Sequence, residues 1–313
     1  MAVRQRSGAC RPRRTGNGRI YDRHVTRFLK GHGTENDFIL LPDLADLDPT
    51  AEVPLLSAEQ VRRLCDRHAG IGGDGVLRVL PVGSATEAEN LPTGDARWFM
   101  DYRNADGSVS EMCGNGARLF AKYLLEAGLE STSTFDLATR GGLRRVTRSR
   151  SGELSVDMGP ARLGVESVAR IAGAEFAGRQ VSMTNPHLVC LTEVTVSALD
   201  LSGPPIVDGD LFPDGVNVEF VNLLSDTPAA AQLHVRMRVH ERGVGETRSC
   251  GTGACATAGQ VLAQIGRDSG EVIVDVLGGE VRVTVTPNTT TLSGPAVFVA
   301  SGDIDPDWWA ISE

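Results

Sequence analysis

The sequence is poor in lysine and has no long apolar run. Of its 31 basic residues, only Lys30 and Lys122 are lysine, so an enzyme that holds pyridoxal phosphate on a lysine has just two candidate positions. No segment approaches the ~18 apolar residues of a membrane helix, and residues 1–27 lack the apolar core of a secretion signal. The sequence therefore predicts neither a membrane span nor secretion.

The cysteines form no recognisable metal site. There is no CxxC pair and no Cys/His group at zinc-ligand spacing, and the six cysteines are Cys10, Cys65, Cys113, Cys190, Cys250 and Cys255. A chain of 313 residues without a secretion signal is expected to keep its thiols reduced. We therefore predict free thiols, no metal and a cytoplasmic location.

The charge is distributed unevenly. Residues 1–27 hold eight arginines and one aspartate, a balance of +7, so the net charge of −9 leaves the remainder at about −16. An acidic body repels phosphate backbones, which disfavours a nucleic-acid partner. We predict that residues 1–27 form a basic, disordered extension outside the folded domains; the alternatives are an Arg-rich transit peptide and a basic docking arm.

Glycine is abundant, but its spacing does not predict a nucleotide site. Three glycines in "AGIGGDG" (69–75) fit GxGxxG, yet a dinucleotide-binding loop follows a strand and opens a helix. Here the order is reversed. The preceding segment 57–68 predicts a helix in which Ser57 is the N-cap and Gln60 completes a capping box. We interpret the glycines as a turn before a strand.

Two helices of nearly equal length indicate an internal duplication. Cys113 lies 15 residues before Gly128, and Cys250 lies 16 residues before Gly266, and glycine commonly ends a helix. Strand-like segments surround both helices. We predict an α+β fold of two pseudo-symmetric domains divided near Asp157, each a mixed or antiparallel β-sheet or barrel around a central helix, with the active site in the cleft between them.

Each of these helices begins at a cysteine followed by glycines, in "MCGNG" (112–116) and "SCGTG" (249–253). A helix start carries unpaired N–H groups and about half a positive charge, which can lower a thiol pKa to roughly 3.5–7.5 and can bind a carboxylate. If both starts face one carbon, one thiolate can remove its proton while the opposite thiol returns another. The carbon inverts, and the helix starts stabilise the charge that develops on its carboxylate.

A cysteine on a helix does not by itself indicate catalysis. A lone helix cysteine is usually a small buried apolar residue, and we interpret Cys65, Cys190 and Cys255 in this way. A disulfide between Cys113 and Cys250 would be an inactivated form, since neighbouring reactive thiols oxidise readily. A Cys–His hydrolase needs one cysteine and not a matched pair.

Seven motifs, taken in order, resemble the diaminopimelate epimerase family, whose members interconvert LL- and meso-diaminopimelate without a cofactor. The resemblance extends from about Phe28 to the C-terminus. The motifs are "GHGTENDF", "YRNADGS", "MCGNGAR", "NPH", "GVNVE", "ERGVGETRSCGTGA" and "LGGE". The domains that we expect are 28–157 with 300–313, which carries Cys113, and 158–299, which carries Cys250.

The resemblance implies a role for each matching residue. Cys113 is expected to donate a proton and Cys250 to accept one in the LL to meso direction, with His187 and Glu241 tuning their pKa values. Glu241 and Arg242 are expected to hold the distal amino and carboxylate groups. The other expected substrate-binding residues are Asn36, Asn104, Gly114, Asn115, Asn185, Asn217, Gly251 and Thr252. A homodimer without metal or cofactor is also implied, acting in lysine and peptidoglycan precursor synthesis.

Two positions depart from the family pattern, and two rival functions stay open. Thr184 stands where glycine is common, and Gly75 stands where some members carry a polar side chain. A proline or hydroxyproline racemase of the same fold typically has "CGH" at the first cysteine, whereas Asn115 follows in "CGNG" here. A non-catalytic thiol redox sensor or amino-acid-binding protein would exchange no α-proton with solvent deuterium.

Overall fold

The computed structural model describes residues 26–42, 55–85, 88–224 and 232–310, so nearly all of the predicted basic extension lies outside the described residues. Within those residues the strands form one continuous mixed sheet. The first eight are β1 (Arg27–Gly33), β2 (Asn36–Leu41), β3 (Gly75–Pro81), β4 (Trp98–Asn104), β5 (Thr134–Thr139), β6 (Gly142–Arg148), β7 (Leu154–Gly159) and β8 (Arg162–Ile171). The others are β9 (Ala174–Ser182), β10 (Pro186–Leu191), β11 (Asn217–Leu223), β12 (Gln232–Glu241), β13 (Gly245–Thr247), β14 (Gly270–Val276), β15 (Gly279–Val285), β16 (Thr290–Gly294) and β17 (Val297–Asp303).

The predicted duplication is present in the strand pairing. In the first half β1–β2 is antiparallel, β2–β3 parallel, β3–β4 antiparallel and β4–β5 parallel, followed by antiparallel β6 and β7. The same alternation recurs through β9, β10, β11, β12, β14, β15 and β16. The halves join at β7–β16, and their last strands cross over: β17 pairs with β1, and β8 pairs with β9. The predicted two-domain α+β class is confirmed.

The helices are α1 (Ala58–Cys65), α2 (Gly114–Glu126), α3 (Gly251–Gln264) and α4 (Pro306–Trp309). The capping box of α1 is confirmed, since Gln60 N donates to Ser57 Oγ and Ser57 N donates to Gln60 Oε1. The glycine-rich segment after α1 leads into β3, as predicted. Helices α2 and α3 have 13 and 14 residues. They end just before Gly128 and Gly266, which have φ of 71° and 73°, a conformation that glycine adopts readily.

Each of the two long helices is the centre of its own half. Helix α2 packs on β1, β2, β3, β4 and β7, and α3 packs on strands from β8 to β16. Nearly every residue of α3 is buried, and most of its side chains are small. Small side chains let the surrounding strands approach closely: a methyl group at Gly259 would lie 2.7 Å from Ala161 Cβ. This packing holds the start of each helix in a fixed place.

The turn between β1 and β2 is strained and is held by the other half of the molecule. Thr34 and Glu35 have φ of 49° and 61°, an unfavourable conformation for a β-branched residue. Thr34 Oγ1 is hydrogen bonded to Ser249 Oγ at 2.8 Å, and Glu35 pairs with Arg248. Gly278, in the β14–β15 turn, packs directly on this turn, since a methyl group there would lie 1.9 Å from Thr34 O.

In the part of the chain that the structure describes, no helix combines the length and the hydrophobicity needed to cross a membrane.

Gly278→Ala should destabilise the protein, because its new methyl group collides with the backbone oxygen of Thr34. We expect the free energy of unfolding to fall by about 1–3 kcal/mol, measured by urea denaturation. Gly83→Ala is the matched control, since a methyl group there meets no atom within 4 Å. Equal stability of the two variants would contradict the proposed packing of the two turns.

Candidate active site

Both cysteines of the duplicated motifs are helix N-caps. Cys113 precedes α2, and its Sγ accepts a hydrogen bond from Gly116 N at 3.5 Å. Cys250 precedes α3, and its Sγ accepts from Gly253 N at 3.4 Å. Both thiols are free. Cys250 is buried, and Cys113 is half-buried.

The two helix starts meet. A methyl group built on Gly251 would lie 3.5 Å from Gly114 Cα and 3.6 Å from Asn115 N. The side chain of Leu292 covers both glycines, since its Cδ2 would lie 2.8 and 3.0 Å from methyl groups at Gly114 and Gly251. Two sets of unpaired helix N–H groups therefore converge on one region, a geometry suited to an anionic group.

Asn115 connects the two halves at this meeting point. Its Nδ2 donates to Asn36 Oδ1 and to Ser249 Oγ, each at 3.2 Å. Its Oδ1 accepts from Arg118 Nη2 at 2.9 Å. Since Ser249 immediately precedes Cys250, these bonds fix the second thiol relative to the first helix. The Asn115 side chain is therefore occupied by protein partners.

Arg118 places a buried positive charge behind the helix starts. The residue has no exposed surface, and its Nη2 also donates to Thr34 Oγ1 at 3.3 Å. Among the described residues, its Nε and Nη1 have no hydrogen-bond partner. Burial lowers the pKa of Arg118 to about 10, so the guanidinium stays charged at neutral pH.

A charged cluster under the β1–β2 turn orients Asn36. Asp74 Oδ2 accepts from Asn36 Nδ2 at 2.8 Å, and Arg67 Nη2 donates at 2.8 Å to both Asp74 and Asp37. Lys30 pairs with Asp37. Burial acts to raise the pKa of Asp37, but hydrogen bonds from Arg67 and Lys30 lower it to about 2. Burial and the neighbouring Asp37 carboxylate raise the pKa of Asp74.

A different set of groups lies beside the second thiol. Thr252 Oγ1 is 3.4 Å from Cys250 Sγ and 3.4 Å from Asn185 Nδ2. Asn185 Oδ1 is 3.0 Å from His187 Nε2, and His187 Nδ1 is 2.6 Å from Glu219 Oε1. Both His187 and Glu219 are fully buried. Thr184, the departure in this loop, is exposed and leaves these contacts of Asn185 in place.

Strand register explains why these residues converge. His187 pairs with Asn217 across β10 and β11, and the β11–β12 register places Asn217 opposite Glu241. The equivalent row in the first half is Phe38, Gly75 and Asn104 across β2, β3 and β4. These residues lie at strand ends, since Asn104 ends β4, Asn217 begins β11 and Glu241 ends β12.

The side chains of two residues in these rows are hydrogen bonded to adjacent loops. Asn104 Nδ2 donates to Ser108 Oγ at 3.0 Å, within its own turn. Asn217 Oδ1 accepts from the backbone N of Arg242 at 3.0 Å. Each therefore shapes the loop that follows it, and the guanidinium of the exposed Arg242 makes no hydrogen bond or ion pair with any described residue.

Glu241 lies close enough to both thiols to influence them. Thr247 Oγ1 donates to its carboxylate. Burial raises the pKa of Glu241, while hydrogen bonds from Thr247 and Cys250 act in the opposite direction. The negative charge of Glu241 in turn raises the pKa of Cys113 and of Cys250.

The lowered thiol pKa values predicted from the helix starts are wrong. Burial raises the pKa of Cys113 to about 11, and hydrogen bonds from the amides of Gly116 and Asn115 offset only part of that increase. Burial raises the pKa of Cys250 well above its usual value, and Glu241 and Glu219 add to the increase. The helix starts act in the predicted direction, but desolvation outweighs them.

The surroundings of Gly75 leave no room for the polar side chain that some family members carry at this position. A methyl group there would lie 2.5 Å from Arg103 O and 2.8 Å from Tyr102 Cε2. The ring of Tyr102, packed edge-on against Phe38, fills this space. Burial raises the pKa of Tyr102, and the charge of Cys113 adds to that shift, which places the tyrosine beside the site.

Sequence reasoning missed four residues of this site: Arg118, Tyr102, Glu219 and Ser249. Of these four, only Glu219 could have been identified from the sequence. It lies two residues after Asn217 on the same strand and therefore on the same face, and a carboxylate on a buried strand face needs a partner.

The fold is shared with solved structures of other proteins, whose sequences are only distantly similar to this one. A hydroxyproline epimerase from Agrobacterium vitis shares the fold with a TM-score of 0.62 at 15% identity, over 93% of this chain and 96% of that chain. The family model described as diaminopimelate epimerase matches residues 28–164 and 179–299.

Curated relatives identify the family more closely. The diaminopimelate epimerase of Rhodococcus erythropolis is 50% identical over 299 residues, covering 90% of this chain and 97% of that protein. The diaminopimelate epimerase of Mycobacteroides abscessus is 47% identical over 296 residues, with 90% and 97% coverage. The chain belongs to the diaminopimelate epimerase family.

The reactivity of Cys113 should rise steeply up to high pH, because only the thiolate attacks an alkylating agent. With a pKa of about 11, its reaction rate with iodoacetamide should increase about 100-fold from pH 7 to pH 9, since the thiolate fraction rises tenfold per pH unit. Mass spectrometry of the peptide that contains Cys113 measures this rate. Free cysteine in the same solution should level off near pH 9, and a plateau for Cys113 at pH 8 would contradict the raised pKa.

Proposed function

We propose that this chain interconverts LL- and meso-2,6-diaminopimelate by a two-base mechanism. The observation that carries the proposal is the contact between two helix starts, each capped by a cysteine. Between them, a substrate carboxylate would accept hydrogen bonds from the backbone N–H groups of Gly114, Asn115, Gly251 and Thr252. Its α-carbon would then lie between the two sulfur atoms.

The chemistry needs one thiolate and one thiol. In the LL to meso direction, the Cys250 thiolate removes the α-proton: a C–H bond breaks and an S–H bond forms. The carbanion receives the Cys113 proton on its opposite face. The enzyme ends with the protonation of the two sulfur atoms exchanged, and the same steps in reverse convert meso to LL. The helix starts stabilise the negative charge that spreads onto the carboxylate in the transition state.

Substrate binding would bring positive charge close to the two thiols, which favours the thiolate form. Their raised pKa values come from burial and from the nearby Glu241 carboxylate. Diaminopimelate brings two ammonium groups into this region, and nearby positive charge favours a thiolate. Thiolate formation would therefore be coupled to binding, with Glu241 and His187 as the tuning groups.

The distal end of the substrate fits the exposed end of the site. Arg242, whose guanidinium has no partner among the described residues, can hold a carboxylate through two parallel hydrogen bonds, and the adjacent Glu241 can hold an ammonium group. Asn36, Asn104 and Asn217 lie at strand ends and Asn185 directly precedes β10, and their amides can donate or accept hydrogen bonds. A cyclic amino acid such as proline has no distal carboxylate for Arg242.

The lysines argue against a pyridoxal phosphate mechanism. Lys30 is paired with Asp37 and donates to the backbone oxygen of Gly72. Lys122 pairs with Glu126 on the α2 surface.

We extend the proposal to a cytoplasmic homodimer in lysine and peptidoglycan precursor synthesis, on the basis of the family resemblance. We also propose domains of 28–157 with 300–313 and of 158–299. The pairing of β17 with β1 and of β8 with β9 supports this division.

Cys113→Ser and Cys250→Ser should each abolish epimerisation, because inversion needs proton transfer on both faces. With a β-halogenated diaminopimelate, each variant should still eliminate halide from the isomer whose α-proton faces its remaining thiol. The two variants should therefore show opposite stereochemical preference, measured by halide release. Elimination from the same isomer by both variants would contradict the opposed arrangement. Unmutated reduced enzyme in D2O, which should place deuterium at the α-carbon, is the reference.

Arg242→Gln should raise the KM for diaminopimelate about 10- to 100-fold, the loss expected for a charged hydrogen-bonded pair. Steady-state kinetics measure the change. Arg150→Gln, an exposed arginine in the β6–β7 turn, is the matched control and should leave KM unchanged. An unaltered KM in Arg242→Gln would show that the distal carboxylate binds elsewhere.

A further inference from the structure

A continuous set of hydrogen-bonding groups runs from a buried carboxyl group to the second thiol. It passes from Glu219 to His187 at 2.6 Å, from His187 to Asn185 at 3.0 Å and from Asn185 to Thr252 at 3.4 Å. Thr252 Oγ1 is in turn 3.4 Å from Cys250 Sγ. Glu219 returns to the same helix start, since a methyl group on Gly253 would lie 2.6 Å from its Oε1.

The contacts show where the hydrogens lie in this series of hydrogen-bonded groups. Asn185 Oδ1 can only accept, so Nε2 of His187 must carry a hydrogen. The other nitrogen, Nδ1, then faces Glu219. If His187 is neutral, Nδ1 is a bare acceptor, and Glu219 must be the protonated partner that donates to it.

The surroundings of Glu219 favour this neutral arrangement. Its side chain has no exposed surface, and among the described residues its Oε2 has no hydrogen-bond partner. An ionised carboxylate with a single donor is costly to bury. The titratable groups that interact with it are His187 and Cys190 from β10, Glu241 from β12 and Cys250 before α3, and three of these four would become negative on ionisation. Burial correspondingly raises the pKa of Glu219.

We propose that Glu219 is a positioning residue that keeps the proton of neutral His187 on Nε2 and thereby orients the Asn185 amide. With Nε2–H donating to Oδ1, the Nδ2 group of Asn185 is turned toward Thr252 and the helix start that receives the substrate carboxylate. Without Glu219, His187 can move its proton to Nδ1. A bare Nε2 would then face Oδ1, and the amide would reverse and present its oxygen to the substrate.

The first test is nitrogen-15 NMR of the free enzyme labelled in its histidine rings, which separates protonated from bare ring nitrogens. His187→Gln assigns the signal among the six histidines. In the unmutated enzyme at pH 7.5 we expect His187 to have a protonated Nε2 and a bare Nδ1. A proton on Nδ1, alone or together with Nε2, would overturn the proposal. This arm needs no substrate, so its result stands whether or not the proposed epimerase activity does.

The second test compares two substitutions of Glu219, and it rests on the proposed function. Glu219→Leu keeps the approximate volume but offers no donor, so we expect kcat/KM for diaminopimelate to fall about 10- to 100-fold and the His187 signal to show a mixture of the Nε2–H and Nδ1–H forms. Glu219→Gln can donate an amide N–H to Nδ1, so it should restore the Nε2–H form and recover most of the activity lost in Glu219→Leu. Thermal melting checks that both variants fold.

Two results would refute the positioning role. One is a folded Glu219→Leu enzyme with unchanged kcat/KM and unchanged His187 protonation. The other is a Glu219→Gln enzyme that restores the His187 signal but not kcat/KM. If Glu219→Leu does not fold, the NMR result for the unmutated enzyme and the Glu219→Gln comparison still decide the question.

Discussion

The end-to-end contact of two buried helix starts is the constraint on which this structure depends. Helix N-termini carry partial positive charge, and the buried guanidinium of Arg118 adds a full charge behind them. Bringing these groups together is unfavourable unless negative charge is close. The carboxyl group of Glu241 lies close to both thiols, and a substrate carboxylate would supply the remaining balance. The meeting point of the two helix starts is therefore a place suited to an anion.

The two halves are similar in backbone but not in side chains, and this difference bears on the proposed inversion. The rows Phe38–Gly75–Asn104 and His187–Asn217–Glu241 occupy matching register positions. One is largely apolar, and the other holds a buried histidine beside a carboxylate. In the proposed mechanism, unequal surroundings would let one sulfur hold a proton while the other accepts one.

Both halves also contribute to fixing each thiol. Asn115 reaches Ser249 across the contact, and Ser249 in turn supports the strained turn at Thr34. That turn positions Asn36, which is hydrogen bonded to Asn115. The strain is compensated only when both halves are docked. The same hydrogen bonds therefore join the two halves and fix the geometry of the site.

The sequence alone determined the two helix starts, the α+β duplication and the capping box, because these follow from local patterns: glycine stops, alternation and cap spacing. Its motifs also indicated the family. It could not determine the net thiol pKa, because burial is a property of the assembled core and here it exceeds the local effect of the helix. Nor could it show that Tyr102 fills the space beside Gly75, or that Ser249, Arg118 and Glu219 join the site. These residues are distant in the chain, and only strand register and helix packing bring their side chains into contact.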